Sequence, residues 1–240
     1  NDIVLPLEEN LVYTSFLTAL DAIGFRHSGV TIHIPKPGIP IARGLGSSAA
    51  SVVAGVLAAN EIAGRPLCFE KVLALAVEIE GHPDNVVPAM VGGMTVAVLD
   101  GRESIYSKVA VPSSLRFVAL VSNFNLGTAQ ARAILPHTYS KEDVVFNLSR
   151  VSLLVSCMQN ADLGSFRKAF ADRVHQPYRI KLIPGAGEIL SKLQKAGSLA
   201  EYISGAGPTI MALAENDAQA RQLAEKVSRD LGDAQKGIWT

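Results

Sequence analysis

Apolar residues recur at helical spacing in several parts of the chain. Leu11, Phe16, Leu20 and Ile23 predict a helix that ends at Gly24. The same pattern predicts helices over 49–59, 69–80, 128–135, 141–160, 163–170 and 217–232. Asp217 stands at the start of the last of these ranges, and we expect it to be the N-cap of that helix.

Alternation of apolar and polar residues predicts strands elsewhere. Val30, Ile32 and Ile34 alternate with Thr31 and His33, which is typical of a strand with one covered face. Further strands are predicted over 94–101, 104–111, 115–123 and, on either side of a glycine loop, 202–203 and 210–213. The segment "GHPDNVVPAMVGG" at 81–93 is rich in proline and glycine and is predicted to be a polar loop.

The strands and helices do not follow each other in a regular βαβ order. We therefore expect an α+β fold with antiparallel pairing. Two domains are predicted, residues 1–112 and residues 113–240, which meet near 111–115.

Composition narrows the class of protein. The chain has 240 residues, of which 48% are apolar and 18% charged, so a well-cored globule is expected. Its 22 basic and 22 acidic residues cancel, which gives no global reason to expect nucleic acid or a membrane as partner. Cys68 and Cys157 lie far apart without metal-site spacing, and we expect buried thiols and a cytoplasmic location.

The stretch "GLGSSAASVV" places two glycines and two serines directly before an apolar helix. The first N–H groups of a helix lack partners within the helix, so this end attracts an anion such as a phosphate. Ser47 could equally be a simple N-cap after a glycine turn. A P-loop is excluded because its lysine is absent, and the dinucleotide fingerprint fails because a proline-rich linker separates the glycines from the preceding strand.

"PIARGLGSSAA" resembles the second motif of the GHMP kinases, and "SGAGPT" at 204–209 resembles their third. Within that family, "IEGHPDNVVPAMVGGM", "GTAQARAILP" and "HQPYR" are similar to segments of homoserine kinases. The resemblance implies an N-terminal domain like ribosomal protein S5 domain 2 and a ferredoxin-like C-terminal domain. The family's first motif, of the form N-L-G-P-G-F-D, is absent, so we expect this sequence to be part of an enzyme of about 300 residues.

The resemblance also implies where nucleotide and metal bind. ATP phosphates would lie on a loop of six residues, namely Gly44, Leu45, Gly46, Ser47, Ser48 and Ala49. Ser48 and Glu80 would ligate Mg²⁺, with Glu78 a weaker candidate, although both glutamates could simply form a solvated helix end. Asn10 and Val12 would line the adenine pocket.

The remaining site residues follow from the segments similar to homoserine kinases. Asp84 and Asn85 would hold the amino and hydroxyl end of the substrate, Asp84 as a general base or as a stabilising group, and His82 would be scaffold. Substrate contacts are implied for Thr128, Arg132, Arg179, Gly205 and Gly207. Arginine forks suit a carboxylate, although a single arginine is more often a surface charge and "SGAGPT" is in any case a tight turn.

The resemblance implies ATP-dependent phosphorylation of the hydroxyl of L-homoserine, a step towards threonine, and leaves room for a homodimer. Two alternatives stay open. The substrate could be another small alcohol such as mevalonate or shikimate, or the chain could bind a nucleotide without turnover.

Overall fold

The computed structural model describes residues 6–34, 38–231 and 239. The chain forms two compact units, the first made of Asn1–Pro40 and Gly46–Val109 and the second of Ile41–Leu45 and Ala110–Thr240. The chain therefore enters the second unit briefly at 41–45 before it completes the first. The division at residue 112 into two domains stays a prediction.

The first unit contains four α-helices and a two-stranded antiparallel sheet among its described residues. Their bounds are α1 Leu11–Ile23, α2 Ser47–Ile62, α3 Phe69–Glu80, α4 Pro83–Val91, β1 Met94–Asp100 and β2 Glu103–Val109. Phe16 and Leu20 of α1 pack with Val52 and Val56 of α2 in its apolar core. These two helices approach closely at Gly55, where a Cβ would lie 2.5 Å from the carbonyl oxygen of Val12.

Two predictions for the first unit are wrong. The supposed loop at 81–93 contains helix α4, which begins at Pro83, a position where the missing N–H costs nothing, and buries Val86 and Val87 completely. No strand forms at 30–34; the alternation reflects one-sided burial, since Val30 and Ile32 pack against the core. Strand pairing needs a neighbouring strand, and the described residues offer none to this segment.

The second unit is built on a three-stranded antiparallel sheet in the order β3-β5-β4. Its elements are β3 Arg116–Leu120, α5 Thr128–Ala133, α6 Lys141–Asn160, α7 Phe166–Ala169, α8 Gln176–Arg179, α9 Ala186–Ala196, β4 Ala200–Ile203, β5 Ile210–Ala214 and α10 Asp217–Asp230. Ile210 of the central strand pairs with Leu120 on one side and Ile203 on the other. All three side chains belong to one apolar core with Leu193 of α9 and Trp239.

Three features of the second unit also differ from the sequence-based predictions. Asn216 is the N-cap of α10 and accepts a hydrogen bond from the backbone N–H of Gln219, whereas Asp217 pairs with Arg116 at 2.6 Å. Helix α9 was not predicted, although its buried residues recur at helical spacing. Only part of 163–170 is α-helical, because Leu163–Ser165 forms a 3₁₀ turn before α7.

The α+β class is confirmed. Cys157 is buried as expected, but the prediction of a buried Cys68 is wrong because this residue is exposed in front of α3. None of the helices within the described ranges is long and apolar enough to cross a membrane.

Candidate functional site

Helix α2 begins immediately after the glycine loop. Gly46 is its N-cap and has a left-handed backbone, with φ of 75°. Ser47 is the first helical residue, so the interpretation of Ser47 as the N-cap is wrong. The N-cap makes no side-chain hydrogen bond, which leaves the first N–H groups of α2 without a capping side chain. Ala49 is 1% exposed and packs into the core, so it anchors the turn that presents these groups.

Ser48 and Glu80 lie side by side in the first unit. The Ser48 hydroxyl donates a hydrogen bond of 2.8 Å to Oε2 of Glu80, the last residue of α3. Glu80 is half-buried, while Glu78 is exposed. A hydroxyl and a carboxylate are the hard oxygen ligands that suit Mg²⁺. Within the described ranges no group of three or more His, Cys, Asp or Glu residues could hold a metal ion, so few protein ligands would be available to such a cation.

Asp84 and Asn85 form the first turn of α4. The Asn85 side-chain amide donates to Asp84 Oδ1 at 3.2 Å, and Nδ1 of His82 lies 2.6 Å from the same oxygen. His82 occupies the N-cap position of α4 and makes no side-chain capping bond. Asn85 Oδ1 lies 3.4 Å from the place where a Cβ on Gly46 would stand, so the α4 start and the α2 start are neighbours within the first unit.

Asn10 and Val12 lie at the start of α1. Asn10 is the N-cap, and its Oδ1 accepts hydrogen bonds from the backbone N–H groups of Val12 at 3.1 Å and Tyr13 at 3.3 Å. This capping role accounts for Asn10 structurally, and a contact with adenine stays a prediction.

The two glycine motifs meet inside the second unit. The Ser204 hydroxyl donates a 2.7 Å hydrogen bond to the carbonyl oxygen of Gly44, and the N–H of Thr209 donates to the carbonyl oxygen of Arg43 at 3.2 Å. Gly44 has φ of 75°, and a Cβ there would overlap the carbonyl oxygen of Ser204 and lie 2.7 Å from that of Gly207. Leu45, which is half-buried, leads from this contact into Gly46.

Arg132 and Arg179, the two arginines implied as substrate contacts, both belong to the second unit. Arg179, at the end of α8, donates from Nη1 to the carbonyl oxygen of Gly205 at 2.8 Å and from Nε to that of Ala131 at 3.3 Å. Burial lowers the pKa of the Arg179 guanidinium; Asp172 opposes this shift and the positive charge of Arg132 adds to it. Thr128 and Arg132 are exposed on α5. A ligand carboxylate would relieve the repulsion between the two guanidinium groups.

Several residues that shape this region could not be recognised from a sequence motif. Asp172 binds the start of α8 through three backbone N–H groups, and Gln176 accepts a hydrogen bond from the N–H of Ile203. Arg43 contacts the side chain of Asn125 within the same unit. An aspartate shortly before a helix start is a signal for such a cap, and "ADRVHQPYR" contains it.

We expect acid to destabilise the second unit through His175. Burial lowers the pKa of His175 in the folded protein, with Asp172 opposing the shift and Arg179 adding to it. The unfolded state therefore takes up the proton first as pH falls below about 6.5, and the free energy of unfolding decreases. The pKa of Asp172 is also lowered, because its hydrogen bonds outweigh the opposing effect of burial, so its stabilising contribution is lost only at still lower pH.

Fluorescence of Trp239, the one tryptophan of the chain, follows unfolding of this unit because the side chain is 2% exposed. Urea titrations between pH 7.5 and pH 5 should give a falling stability, and His175→Gln should flatten the curve while His137→Gln, at an exposed position, leaves it unchanged. An equal slope in the His175→Gln variant would contradict this assignment.

Comparison with known proteins places these residues in a family. The description "GHMP kinases N terminal domain" matches residues 10–93, and "GHMP kinases C terminal" matches residues 154–233. Homoserine kinase of Clostridium novyi (strain NT) is 46% identical over 213 residues, which are 89% of this chain and 71% of that protein. Homoserine kinase of Clostridium botulinum (strain 657 / Type Ba4) is 47% identical over 206 residues, 86% of this chain and 69% of the relative.

Solved structures agree. The crystal structure of homoserine kinase from Cytophaga hutchinsonii ATCC 33406 superposes with a TM-score of 0.81 at 28% identity and covers 99% of this chain and 76% of its own. Mevalonate kinase of L. major, in complex with R-mevalonate, has the same fold at a TM-score of 0.69 and 20% identity, with 97% of this chain and 76% of that one covered. The resemblance to GHMP kinases and their fold is thereby confirmed.

Proposed function

Because the chain belongs to the homoserine kinases of the GHMP kinase family, we propose that it transfers the γ-phosphoryl group of ATP to the side-chain hydroxyl of L-homoserine. The hydroxyl oxygen forms the new bond to phosphorus, the bond from phosphorus to the ADP oxygen breaks, and the hydroxyl proton is released. The products are ADP and O-phospho-L-homoserine. Identity to homoserine kinases along most of the chain carries the choice of this alcohol.

The phosphates of ATP bind at the start of α2 and on the loop before it, residues 44–49. Free N–H groups at a helix start and the helix dipole both stabilise an anion, and Gly46 allows the close approach of backbone to phosphate. Asn10 and Val12, at the start of α1, are the proposed adenine contacts.

Ser48 and Glu80 are the proposed ligands of Mg²⁺. Their oxygens already lie 2.8 Å apart, and a cation that keeps several phosphate and water ligands needs few protein groups. When bound, Mg²⁺ neutralises the charge of the phosphates. Ser48 and Glu80 contribute by fixing the oxygen pair at the end of α3 and the start of α2.

The substrate carboxylate binds Arg132 and Arg179. The hydroxyl of Thr128 and the turn with Gly205 and Gly207 are further proposed contacts of the substrate. The carbonyl oxygen of Gly205 fixes the Arg179 guanidinium, so the arginine is already oriented before the ligand arrives.

Asp84 and Asn85 are the proposed partners of the amino and hydroxyl end. Asp84 Oδ1 accepts a hydrogen bond from the Asn85 amide and lies 2.6 Å from Nδ1 of His82, and these contacts support a carboxylate oriented for the ammonium group or for the hydroxyl proton.

Two further expectations stay predictions, a cytoplasmic location and a homodimer. Val145, Leu148 and Val151 share one side of α6 and are 56%, 65% and 56% exposed, which supports a surface that a second copy would cover.

Release of ADP by the full-length protein, followed with L-homoserine, L-threonine, mevalonate and shikimate, tests the function. We expect kcat/KM for L-homoserine to exceed that for mevalonate and for shikimate by at least about 100-fold, since both lack the ammonium group and leave its site unpaired. L-threonine carries both charged groups, but its hydroxyl lies one carbon nearer to them, so we expect its kcat/KM to fall below that for L-homoserine as well. A higher kcat/KM for mevalonate or shikimate would show that the substrate is another alcohol and not L-homoserine. Nucleotide binding without turnover of any of them would favour a binding protein.

A further inference from the structure

Asp172 is a buried carboxylate seven residues before Arg179. Its side chain is 7% exposed and accepts four hydrogen bonds. One comes from the side-chain amide of Asn147 at 2.6 Å, and the others come from the backbone N–H groups of Val174 at 3.2 Å, His175 at 2.9 Å and Gln176 at 2.6 Å. These donors hold the carboxylate in its charged form, since together they outweigh the burial that would raise its pKa.

This carboxylate fixes the start of α8, the four-residue helix that carries Arg179. A single helical turn is not stable by its own hydrogen bonds, so its geometry depends on what binds its ends. The N-cap residue, His175, makes no side-chain capping bond, and Asp172 supplies the acceptor instead. Gln176 ties the same turn to β4 through the N–H of Ile203 at 2.9 Å.

Asn147 connects Asp172 to the long helix α6. Its amide donates to Asp172 Oδ1, and its own Oδ1 accepts the N–H of Arg173 at 2.9 Å. The segment before α8 is therefore held by α6 on one side and by its own backbone on the other. Arg179 at the far end of the turn is bound to the carbonyl oxygens of Gly205 and Ala131.

Asp172 also balances charge. The positive charges of Arg132 and Arg179 repel each other, and the negative charge of Asp172 attracts the Arg179 guanidinium. Because four donors already bind the Asp172 oxygens, Asp172 does not take the place of a ligand carboxylate on Arg179.

We propose that Asp172 is a positioning residue of the homoserine site, which fixes α8 so that Arg179 receives the substrate carboxylate. This inference rests on the proposed function. The carboxylate acts through Arg179 and makes no contact with substrate. Its loss should therefore weaken recognition of the substrate carboxylate and leave recognition of ATP unchanged.

Steady-state kinetics of full-length Asp172→Asn test this role. The NH₂ group of asparagine is a donor and would face N–H groups that now donate to the Asp172 carboxylate. We therefore expect KM for L-homoserine to rise about tenfold or more. KM for ATP and kcat should stay within about twofold. Asp143→Asn is the matched control, because Asp143 pairs with Arg173 at 3.6 Å next to the same segment but lies in the first turn of α6 and binds the hydroxyl of Ser140 rather than α8; it should leave KM for L-homoserine unchanged.

A substrate without the carboxylate separates positioning from a general structural role. With 3-aminopropan-1-ol, Asp172→Asn and the unmodified protein should have the same kcat/KM. In the Arg179→Gln background, Asp172→Asn should add less than about twofold to KM for L-homoserine, since coupled residues are not additive. Equal loss for both substrates, or a full tenfold effect without Arg179, would overturn the proposal.

Asn147→Leu gives a second variant in case Asp172→Asn does not fold. It removes one of the four donors, and we expect KM for L-homoserine to rise about threefold, with KM for ATP unchanged. An unchanged KM for L-homoserine in a folded Asp172→Asn or Asn147→Leu protein would overturn the positioning role alone. Absence of turnover of L-homoserine by the unmodified protein would overturn the proposed function and this role with it.

Discussion

Glu80→Ala should reduce kcat/KM for phosphoryl transfer by at least about 100-fold, because electrostatic stabilisation of the moving phosphoryl group is usually the largest single contribution to catalysis. The free energy of unfolding should hardly change. Glu80 ends α3, is half-buried, and its hydrogen bond from Ser48 is the contact that the variant loses. Thermal unfolding and the steady-state rate measured on the same preparation separate these two effects.

Glu78→Ala is the matched control for Glu80→Ala. It removes the same group from the same helix end, but Glu78 is exposed, so we expect a rate within about twofold of the unmodified protein. Calorimetric titration with ADP, with and without Mg²⁺, gives a readout apart from turnover: the gain in affinity from Mg²⁺ should disappear in Glu80→Ala and persist in Glu78→Ala. A Glu80→Ala protein that retains most of its rate would contradict the proposed metal ligand.

Gly44→Ala should be the most damaging change in the glycine loop. The added Cβ would overlap the carbonyl oxygen of Ser204 and lie 2.7 Å from that of Gly207, which are backbone atoms that cannot rotate away. Overpacking of this kind costs about 1–3 kcal/mol, and the positive φ adds to it. We expect a lower midpoint of unfolding, followed by Trp239 fluorescence, and a fall in kcat/KM of at least about tenfold, since Gly44 belongs to the proposed phosphate-binding loop.

Gly24→Ala separates the two contributions. Gly24 has φ of 74°, against 75° for Gly44, and nothing lies within 4 Å of a Cβ placed there. Alanine therefore meets the same unfavourable φ at both positions, but only at position 44 does its Cβ also clash with the "SGAGPT" loop. Gly24→Ala should lose about 1 kcal/mol of stability and keep its rate. Equal effects of the two substitutions on the rate would show that the contact with Ser204 and Gly207 is unimportant.

Helices with a regular apolar period could be predicted from the sequence. The sequence predicts helices α1, α3 and α6 within a residue of their ends, and in α1 and α3 the buried residues follow the helical repeat. Helix α4 was missed because its two prolines and flanking glycines suggested a loop, while burial of Val86 and Val87 decides the outcome. The segment 30–34 was misjudged because alternation reports burial of one face and says nothing about a strand to pair with.

The candidate site could be predicted only where a motif carried it. "GLGSSAA" and "SGAGPT" identified the two loops, but their direct contact through Gly44 and Ser204 depends on tertiary structure. The role of Asp172 could not be predicted, because a single aspartate in a loop carries no periodic signal. Its importance lies in four hydrogen bonds, one of them from Asn147 in a different helix.

The product made by the full-length protein from ATP and L-homoserine tests the proposed reaction most directly. We expect phosphorus NMR to show a phosphate monoester whose phosphorus couples to the protons of the side-chain methylene, with one ADP formed for each ester. An acyl phosphate on the substrate carboxylate, or inorganic phosphate alone, would contradict transfer to the hydroxyl.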